Sequence, residues 1–146
     1  MSDPSEQPDI PSPEMVDVNL SRVVLYEGAN RQYIYLREAE GERSFAIVIG
    51  TTEAYEIARV IRSDPPKRPL THELLYRTIQ AVGSEVIGVD IVRLERDTYY
   101  ASLRVRPDGG EPVEIDARPS DAIAIALRAR CPLRVARAVI DAAATD

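Results

Sequence analysis

The sequence predicts a single α+β domain, in which a mixed or mostly antiparallel sheet carries three to four helices. Its 146 residues are enough for one domain with a substantial core but short for two. Strand patterns come in runs with helix patterns inserted between them, whereas a doubly wound parallel sheet would alternate the two. Neither of the standard glycine-rich phosphate loops of such parallel sheets is present.

The first 14 residues differ in composition from the rest of the chain. They contain four prolines, four acidic residues and no basic residue. We therefore expect residues 1–14 to form a disordered or loosely docked tail and residues 15–146 to form the domain. The tail lacks the basic and apolar regions of a signal peptide, and no apolar run approaches the roughly 20 residues of a membrane helix. These features predict a cytoplasmic protein without a membrane partner.

The region before residue 50 predicts three strands. Apolar residues alternate with polar ones or form short runs, and turn-forming residues separate the runs. We place the strands at residues 16–25, 33–36 and 45–49, with turns at 27–30 and 40–42.

Two helices should follow. The first begins at Gly50–Thr51 and ends before the proline-rich segment 64–69. The second has Thr71 as its N-cap, with Leu70 and Leu75 at the positions of a hydrophobic staple. The side chains that we expect to face the core are Ala54, Ile57, Ala58 and Ile61 in the first helix, and Leu75, Ile79 and Val82 in the second. Gly83 should end the second helix.

The second half of the chain predicts a hairpin, two further short strands and two more helices. We place the strands at residues 86–94, 99–105, 113–116 and 133–135, and the helices at 119–130 and 136–144. The helix at 119–130 is rich in alanine and apolar nearly all round, which predicts close packing on both of its sides.

The charged residues give a mixed indication about partners. A net charge of −6 weighs against non-specific binding to nucleic acid. The 18 basic residues, however, are all arginine except Lys67, and the planar guanidinium suits phosphate. Genomic base composition would explain the same bias. The single cysteine, Cys131, excludes an internal disulfide and a cysteine-rich zinc site.

Residues 116–121 place two carboxylates, an arginine and a serine at the start of the apolar helix. A proline at the first helical position and Asp121 in the first turn are explained by helix initiation alone. Arg118 is not explained in this way, and neither is Asp116, which ends a strand whose Ile115 points to the other side. These residues therefore either only start the helix or form a site.

His72 is the only histidine and lies in the first turn of the second helix. A helix N-terminus disfavours the imidazolium, and a neutral imidazole can act as general acid, general base or metal ligand. The alternative is a surface histidine without a role. A serine or cysteine triad is not expected, because no nucleophile-elbow pattern accompanies the histidine.

Glu53 and Glu56 lie three residues apart and so share a helix face. Paired carboxylates can hold Mg²⁺, although acidic residues are common at helix starts for electrostatic reasons alone. If the three charged helix starts converge in the fold, one cleft would contain Glu53, His72, Asp116, Arg118 and Asp121.

Five motifs follow one another along the chain: VIGTTEA at 48–54, RPLTHELL at 68–75, GSEV at 83–86, TYYA at 98–101 and IDARPSDAIAIA at 115–126. Taken together and in this order, they resemble the bifunctional nuclease domain family. The resemblance runs from about Val16 to the end of the chain.

The resemblance implies an α+β fold, hydrolysis of both DNA and RNA with little sequence preference, and assembly as a homo-oligomer, expected to be a dimer. It leaves the catalytic residues open. From the chemistry of the motifs we predict catalytic roles for His72, Asp116, Arg118 and Asp121. Glu53, Asp116 and Asp121 are the predicted ligands of a Mg²⁺ ion, if one is used.

These residues suggest a division of labour for phosphodiester hydrolysis. Asp116 or Asp121 would bind the metal or orient water, Arg118 would clamp a phosphate oxygen, and His72 would act as general acid or base. The alternative function is a non-catalytic binding or regulatory module whose motif residues cap helices and form subunit contacts.

Overall fold

The computed structural model describes residues 14–144, which contain seven strands and four helices. Their bounds are β1 Met15–Val24, β2 Gln32–Glu38, β3 Ser44–Ile49, α1 Thr51–Ile61, α2 Thr71–Ala81, β4 Glu85–Glu95, β5 Thr98–Arg106, β6 Val113–Ala117, α3 Pro119–Ala129, β7 Leu133–Ala136 and α4 Arg137–Ala143. The predicted tail is outside this range, apart from Glu14. Residue 14 is held to the start of α4, where the Arg137 backbone N–H and guanidinium both donate to it. No helix within residues 14–144 is long and apolar enough to span a membrane.

The seven strands form one mixed sheet in the order β3-β2-β1-β7-β4-β5-β6. All neighbouring pairs are antiparallel except β4 and β7, which are parallel. The predicted α+β class, with a mostly antiparallel mixed sheet, is therefore confirmed. β3 and β6 are the two edge strands.

The sheet curves strongly around α3. Phe45 on β3 stacks on Tyr99 of β5 with ring centroids 5.8 Å apart, although four strands lie between these two in the sheet order. The helix inside this curve is buried from Pro119 to Ala126, except for Asp121. Its alanines allow the close approach that an apolar helix covered on several sides requires.

The second helix departs from the prediction. Leu75 is exposed and Val82 is 73% exposed, so the expected inward stripe is wrong at these two positions, whereas Ile79 packs against the core as predicted. The stripe that packs inward is His72, Tyr76 and Ile79, which follow the i, i+4, i+7 spacing of one helix face. The reason is positional, because α2 covers only one side of α3 and that contact begins at His72.

Both ends of α2 also test the predicted caps. Leu70, not Thr71, is the N-cap, and no side chain caps this end. Since Leu70 and Leu75 are both exposed, they form no buried staple. The predicted end is confirmed, because Gly83 has φ +83°, and Ser84 N–H donates to the Ile79 carbonyl as in a Schellman turn.

Candidate active site at the start of α3

The site is built on the first turn of α3. Arg118 is the N-cap residue in extended conformation, and Pro119 occupies the first helical position. No side chain caps the helix, and Asp121 lies in its first turn. The Asp121 carboxylate instead accepts hydrogen bonds from Arg118 Nε at 2.8 Å and from His72 Nε2 at 2.7 Å.

His72 contacts the Asp121 carboxylate from its buried side. Its side chain is 9% exposed, whereas that of Asp121 is 30% exposed, so the carboxylate is the member of the pair that faces solvent. The ring nitrogen Nδ1 is buried and has no hydrogen-bond partner among residues 14–144. Because an ionised carboxylate only accepts, the proton of the short contact belongs to Nε2.

Glu53 completes the group from the start of α1. Its Oε1 accepts a hydrogen bond from Arg118 Nη2 at 2.9 Å. The N-cap of this helix is Gly50, and a side chain there would collide with the Glu53 carboxylate. The glycine therefore lets Glu53 fold back to where Arg118 can reach it.

The charges in this group reinforce one another. Burial alone would raise the pKa of the Asp121 carboxyl, but the hydrogen bonds from Arg118 and His72 outweigh it and lower the pKa below the ordinary value of 3.8. The same contacts with Asp121 and Glu53 raise the pKa of Arg118. Arg118 and Asp121 are thus both charged at neutral pH.

A groove of about 570 Å³ opens beside this group. One part of its wall is polar, with Glu53, His72, Arg118 and Asp121. The other part is apolar, with Leu70, Leu75, Leu103, Ile115 and Ile125. Sequence reasoning missed this apolar wall. The available signal was that α2 has leucines around more of its circumference than one packing face needs.

Asp116 is not joined to the other four predicted residues. Its neighbour Ile115 pairs with Leu103, which lines the groove. Successive residues of a strand point to opposite faces, so the Asp116 side chain points away from α3, beside Ser102. Asp116 is one of the residues that line the groove, but its side chain makes no hydrogen bond or ion pair within residues 14–144.

The carboxylates do not fit a preformed site for a divalent cation. Within the described chain there is no cluster of three or more His, Cys, Asp or Glu side chains that could hold a metal. Arg118 lies between Glu53 and Asp121, and Glu56 is tied to Arg128 at 2.9 Å in a pair that is almost wholly buried. Glu53 and Glu56 are therefore each neutralised by a different arginine.

The chain is similar in sequence to known proteins over most of its length. The model of the bifunctional nuclease domain family matches residues 34–146, so the match begins later than the Val16 suggested by the motifs. The chain is 38% identical over 126 residues to the uncharacterized protein Rv1829 of Mycobacterium tuberculosis, covering 86% of this chain and 74% of that protein. It is 31% identical over 116 residues to bifunctional nuclease 2 and 27% identical over 118 residues to bifunctional nuclease 1 of rice, in each case spanning 36% of the rice protein. The chain belongs to the bifunctional nuclease domain family.

Proposed function

We propose that this protein hydrolyses the phosphodiester bonds of DNA and RNA with little sequence preference, at the groove beside the start of α3. The observation that carries the proposal is the exposure and orientation of the Arg118 guanidinium. This group is 66% exposed, lies at the mouth of the groove, and is oriented by hydrogen bonds to Glu53 and Asp121. Membership of the nuclease family supports the class of reaction.

Arg118 and Asp121 have complementary roles in this mechanism. The guanidinium contacts a phosphoryl oxygen and stabilises the charge that develops there. The ionised Asp121 carboxylate orients the attacking water and accepts its proton as the new P–O bond forms. The oxygen of the broken P–O bond leaves as a hydroxyl after taking a proton from solvent. Recognition through the backbone phosphate leaves the 2′-OH unread, which accounts for the use of both nucleic acids.

His72 has a positioning role in the proposed reaction. Its Nε2–H is used by Asp121, and its Nδ1 is buried, so the ring presents no free nitrogen to the groove. This geometry favours a role in fixing the Asp121 carboxylate over the direct acid–base role predicted from the sequence. Asp116 has no place in the proposed mechanism, because its side chain lies on the other face of the sheet.

The requirement for Mg²⁺ stays a prediction. The donor set does not form a cation site while Arg118 bridges the two carboxylates, so we assign no step to a metal. The arginine supplies the positive charge that a metal ion would otherwise provide at the phosphoryl oxygen.

A second candidate function is a non-catalytic binding or regulatory module. The observation in its favour is that Glu53, Arg118, Asp121 and His72 bond to one another and thereby join α1, α2 and α3. A purely structural network would look the same. The two functions differ in what happens when the network is changed without unfolding the protein.

We also propose a homodimer located in the cytoplasm. Exposed apolar side chains on α2, just after it and on the edge strand β6 support a subunit contact there, namely Leu74, Val82 and Val113. Light scattering of the parent and of Leu74→Glu tests it. A dimer that becomes a monomer in the variant supports this contact, and a parent that is monomeric at all concentrations contradicts it.

The test of the function is cleavage of labelled DNA and RNA by the parent and by Asp121→Asn, purified identically, with Mg²⁺ or with EDTA. The matched control is Asp141→Asn, since Asp141 also accepts a hydrogen bond from an arginine that bridges two carboxylates, at 2.7 Å. We expect cleavage by the parent and by Asp141→Asn and loss in Asp121→Asn. Equal cleavage by all three contradicts the proposed site, and loss of cleavage in EDTA would show that a metal takes part.

A further inference from the structure

A second surface of the molecule has the chemistry of a nucleic-acid interface. It is the side of strands β1, β2 and β3 that faces away from the core, and we call it the outer β1–β3 face. Strand pairing and alternation place side chains of all three strands on it, among them Asp17, Asn19, Arg22, Val24, Tyr33, Tyr35, Arg37, Ser44, Ala46 and Val48. The residues between them, such as Ile34 and Leu36, are fully buried on the opposite side.

Aromatic rings and guanidinium groups lie next to each other on this face. The Arg22 guanidinium lies 4.1 Å from the centroid of the Tyr35 ring. The Tyr33 ring meets Tyr26 edge to face at 5.9 Å, and Tyr26 is itself exposed. Aromatic rings and arginine planes on an open sheet are the groups on which unpaired bases stack.

The charge on the face is positive, although the whole chain carries a net charge of −6. Its outward side chains include Arg22, Arg37 and one carboxylate, Asp17, which lies near the start of β1 opposite Arg134 of β7. Neither Arg22 nor Arg37 forms an ion pair with any residue in 14–144. Another arginine that lies over a tyrosine ring, on β4, does form an ion pair. Arg93 lies 4.2 Å from the Tyr100 ring but also pairs with Glu95 at 3.4 Å. The cations of the outer β1–β3 face thus remain available to phosphate.

The face is continuous with the candidate active site. Val48, which is 51% exposed, also lines a cleft of about 230 Å³ that contains Gly50 and Arg118. Arg118 lines both this cleft and the active-site groove. A nucleic-acid strand that leaves the face at Val48 would therefore reach Arg118 next.

We propose that the outer β1–β3 face binds single-stranded nucleic acid and leads the substrate strand through the cleft to Arg118. Unpaired bases stack on Tyr33 and Tyr35, and Arg22 and Arg37 contact the phosphates between them. The inference rests on the proposed nuclease function for the identity of its ligand. Arg22 and Tyr33 lie before residue 34, where the family match begins, so the match itself does not imply this surface.

The experiment measures binding of labelled single-stranded RNA and DNA oligonucleotides by fluorescence anisotropy. The full chain contains Asp121→Asn, so that the probes are not cut. Two double variants change the face, Tyr33→Ala with Tyr35→Ala and Arg22→Ala with Arg37→Ala. The matched control is Arg93→Ala with Tyr100→Ala, which removes the similar pair on β4 and β5.

We expect each change on the face to raise Kd by about tenfold or more, as the loss of base stacking or of phosphate contacts would. Removal of two arginines should also lower the slope of log Kd against log salt by about 1.4, since each phosphate contact of a single strand contributes about 0.7. The control should stay within about twofold of the parent. Binding that is unchanged in the face variants overturns the inference and leaves the proposed function intact.

Two further measurements keep the outcome clear. Val48→Glu adds a carboxylate at an exposed position of the face without removing a ring and should weaken binding. Ala142→Glu adds the same charge at an exposed position of α4 and should not weaken binding. With Asp121 restored, the face variants should raise KM and leave kcat nearly unchanged, and an unchanged KM overturns the inference. Failure of the parent to cut or bind any nucleic acid is a different result, because it removes the proposed function itself.

Discussion

Helices α1 and α3 are joined by two ion pairs of the same residue types in very different surroundings. At one end Glu53 pairs with Arg118, and further along the helices Glu56 pairs with Arg128, each at 2.9 Å. The side chain of Arg118 is 66% exposed, whereas that of Arg128 is 11% exposed. Arg128 also donates to the Ala124 carbonyl, while Arg118 donates to a second carboxylate, that of Asp121.

The contrast separates a structural ion pair from one that is available to a ligand. Breaking a buried pair leaves an uncompensated charge in the interior, so it costs far more than breaking an exposed pair. An exposed guanidinium can exchange one carboxylate for a phosphate while its other bonds keep it oriented. We call the buried pair of Glu56 and Arg128 the inner pair and the exposed pair of Glu53 and Arg118 the outer pair. We expect the inner pair to determine stability and the outer pair to determine activity.

The largest effect should follow from removing one member of the inner pair. Arg128→Met leaves Glu56 buried without a partner and should lower the free energy of unfolding by about 3–5 kcal/mol. Denaturant unfolding measures this. The double variant Glu56→Leu with Arg128→Met should recover most of the loss, since it removes both charges. A single variant as stable as the parent would show that Glu56 is not committed to this pair.

The next effect concerns the outer pair. Arg118→Ala should change the free energy of unfolding by no more than about 1 kcal/mol, because the pair is exposed to solvent. The rate of cleavage should fall by about 100-fold or more, as it does when a group that stabilises transition-state charge is removed. Arg43→Ala is the matched control, since Arg43 also bridges two carboxylates, Glu38 and Asp141. Equal losses of activity in both variants would contradict the assignment.

The structure shows why the elements were predictable and the contacts were not. The strands and helices follow from local periodicity and from turn residues such as Gly83, so they were predicted closely. The face of α2 that packs inward depends on where α3 lies, and the predicted inward positions of Leu75 and Val82 were therefore wrong. The partner of Glu56 is 72 residues away in sequence, and nothing local to Glu56 indicates it.

The candidate site was predictable to a similar extent. Chemistry and spacing identified Glu53, His72, Arg118 and Asp121, which the fold brings together. Asp116 lies two residues from Arg118, but a strand residue points to one face or the other, and the register with Ser102 places it on the far side. Sequence proximity therefore says little about which side of a sheet a side chain serves.

A smaller effect concerns the pH dependence of Asp121. Its pKa is lowered below 3.8 in the folded protein, so in acid the unfolded state binds the proton more readily. The stabilisation is therefore complete above the ordinary value and is lost as pH falls through the lowered pKa. In Arg118→Ala one hydrogen bond that lowers the pKa is gone, and the pKa should rise. NMR titration of the Asp121 carboxyl carbon measures this pKa in the parent and in Arg118→Ala. Identical titration in the two proteins would contradict the coupling between Arg118 and Asp121.

The smallest effect should come from Asp116. Asp116→Asn changes a side chain on the far face of the sheet, and cleavage should stay within about twofold of the parent, since no substrate contact is lost there. Steady-state cleavage assays measure this, with Asp121→Asn as the inactive comparison. A loss as large as that in Asp121→Asn would mean that the substrate contacts both faces of the sheet.

The most direct measurement follows the guanidinium groups themselves when substrate binds. The ¹⁵Nε signals of Arg118 and Arg128 are recorded by NMR in the uncleaving Asp121→Asn protein, before and after a single-stranded oligonucleotide is added. Replacement of each arginine by lysine assigns the two signals. Our account predicts that the Arg118 signal shifts as its guanidinium binds a phosphate, while the signal of buried Arg128 stays in place. Binding that leaves the Arg118 signal unchanged would contradict the account.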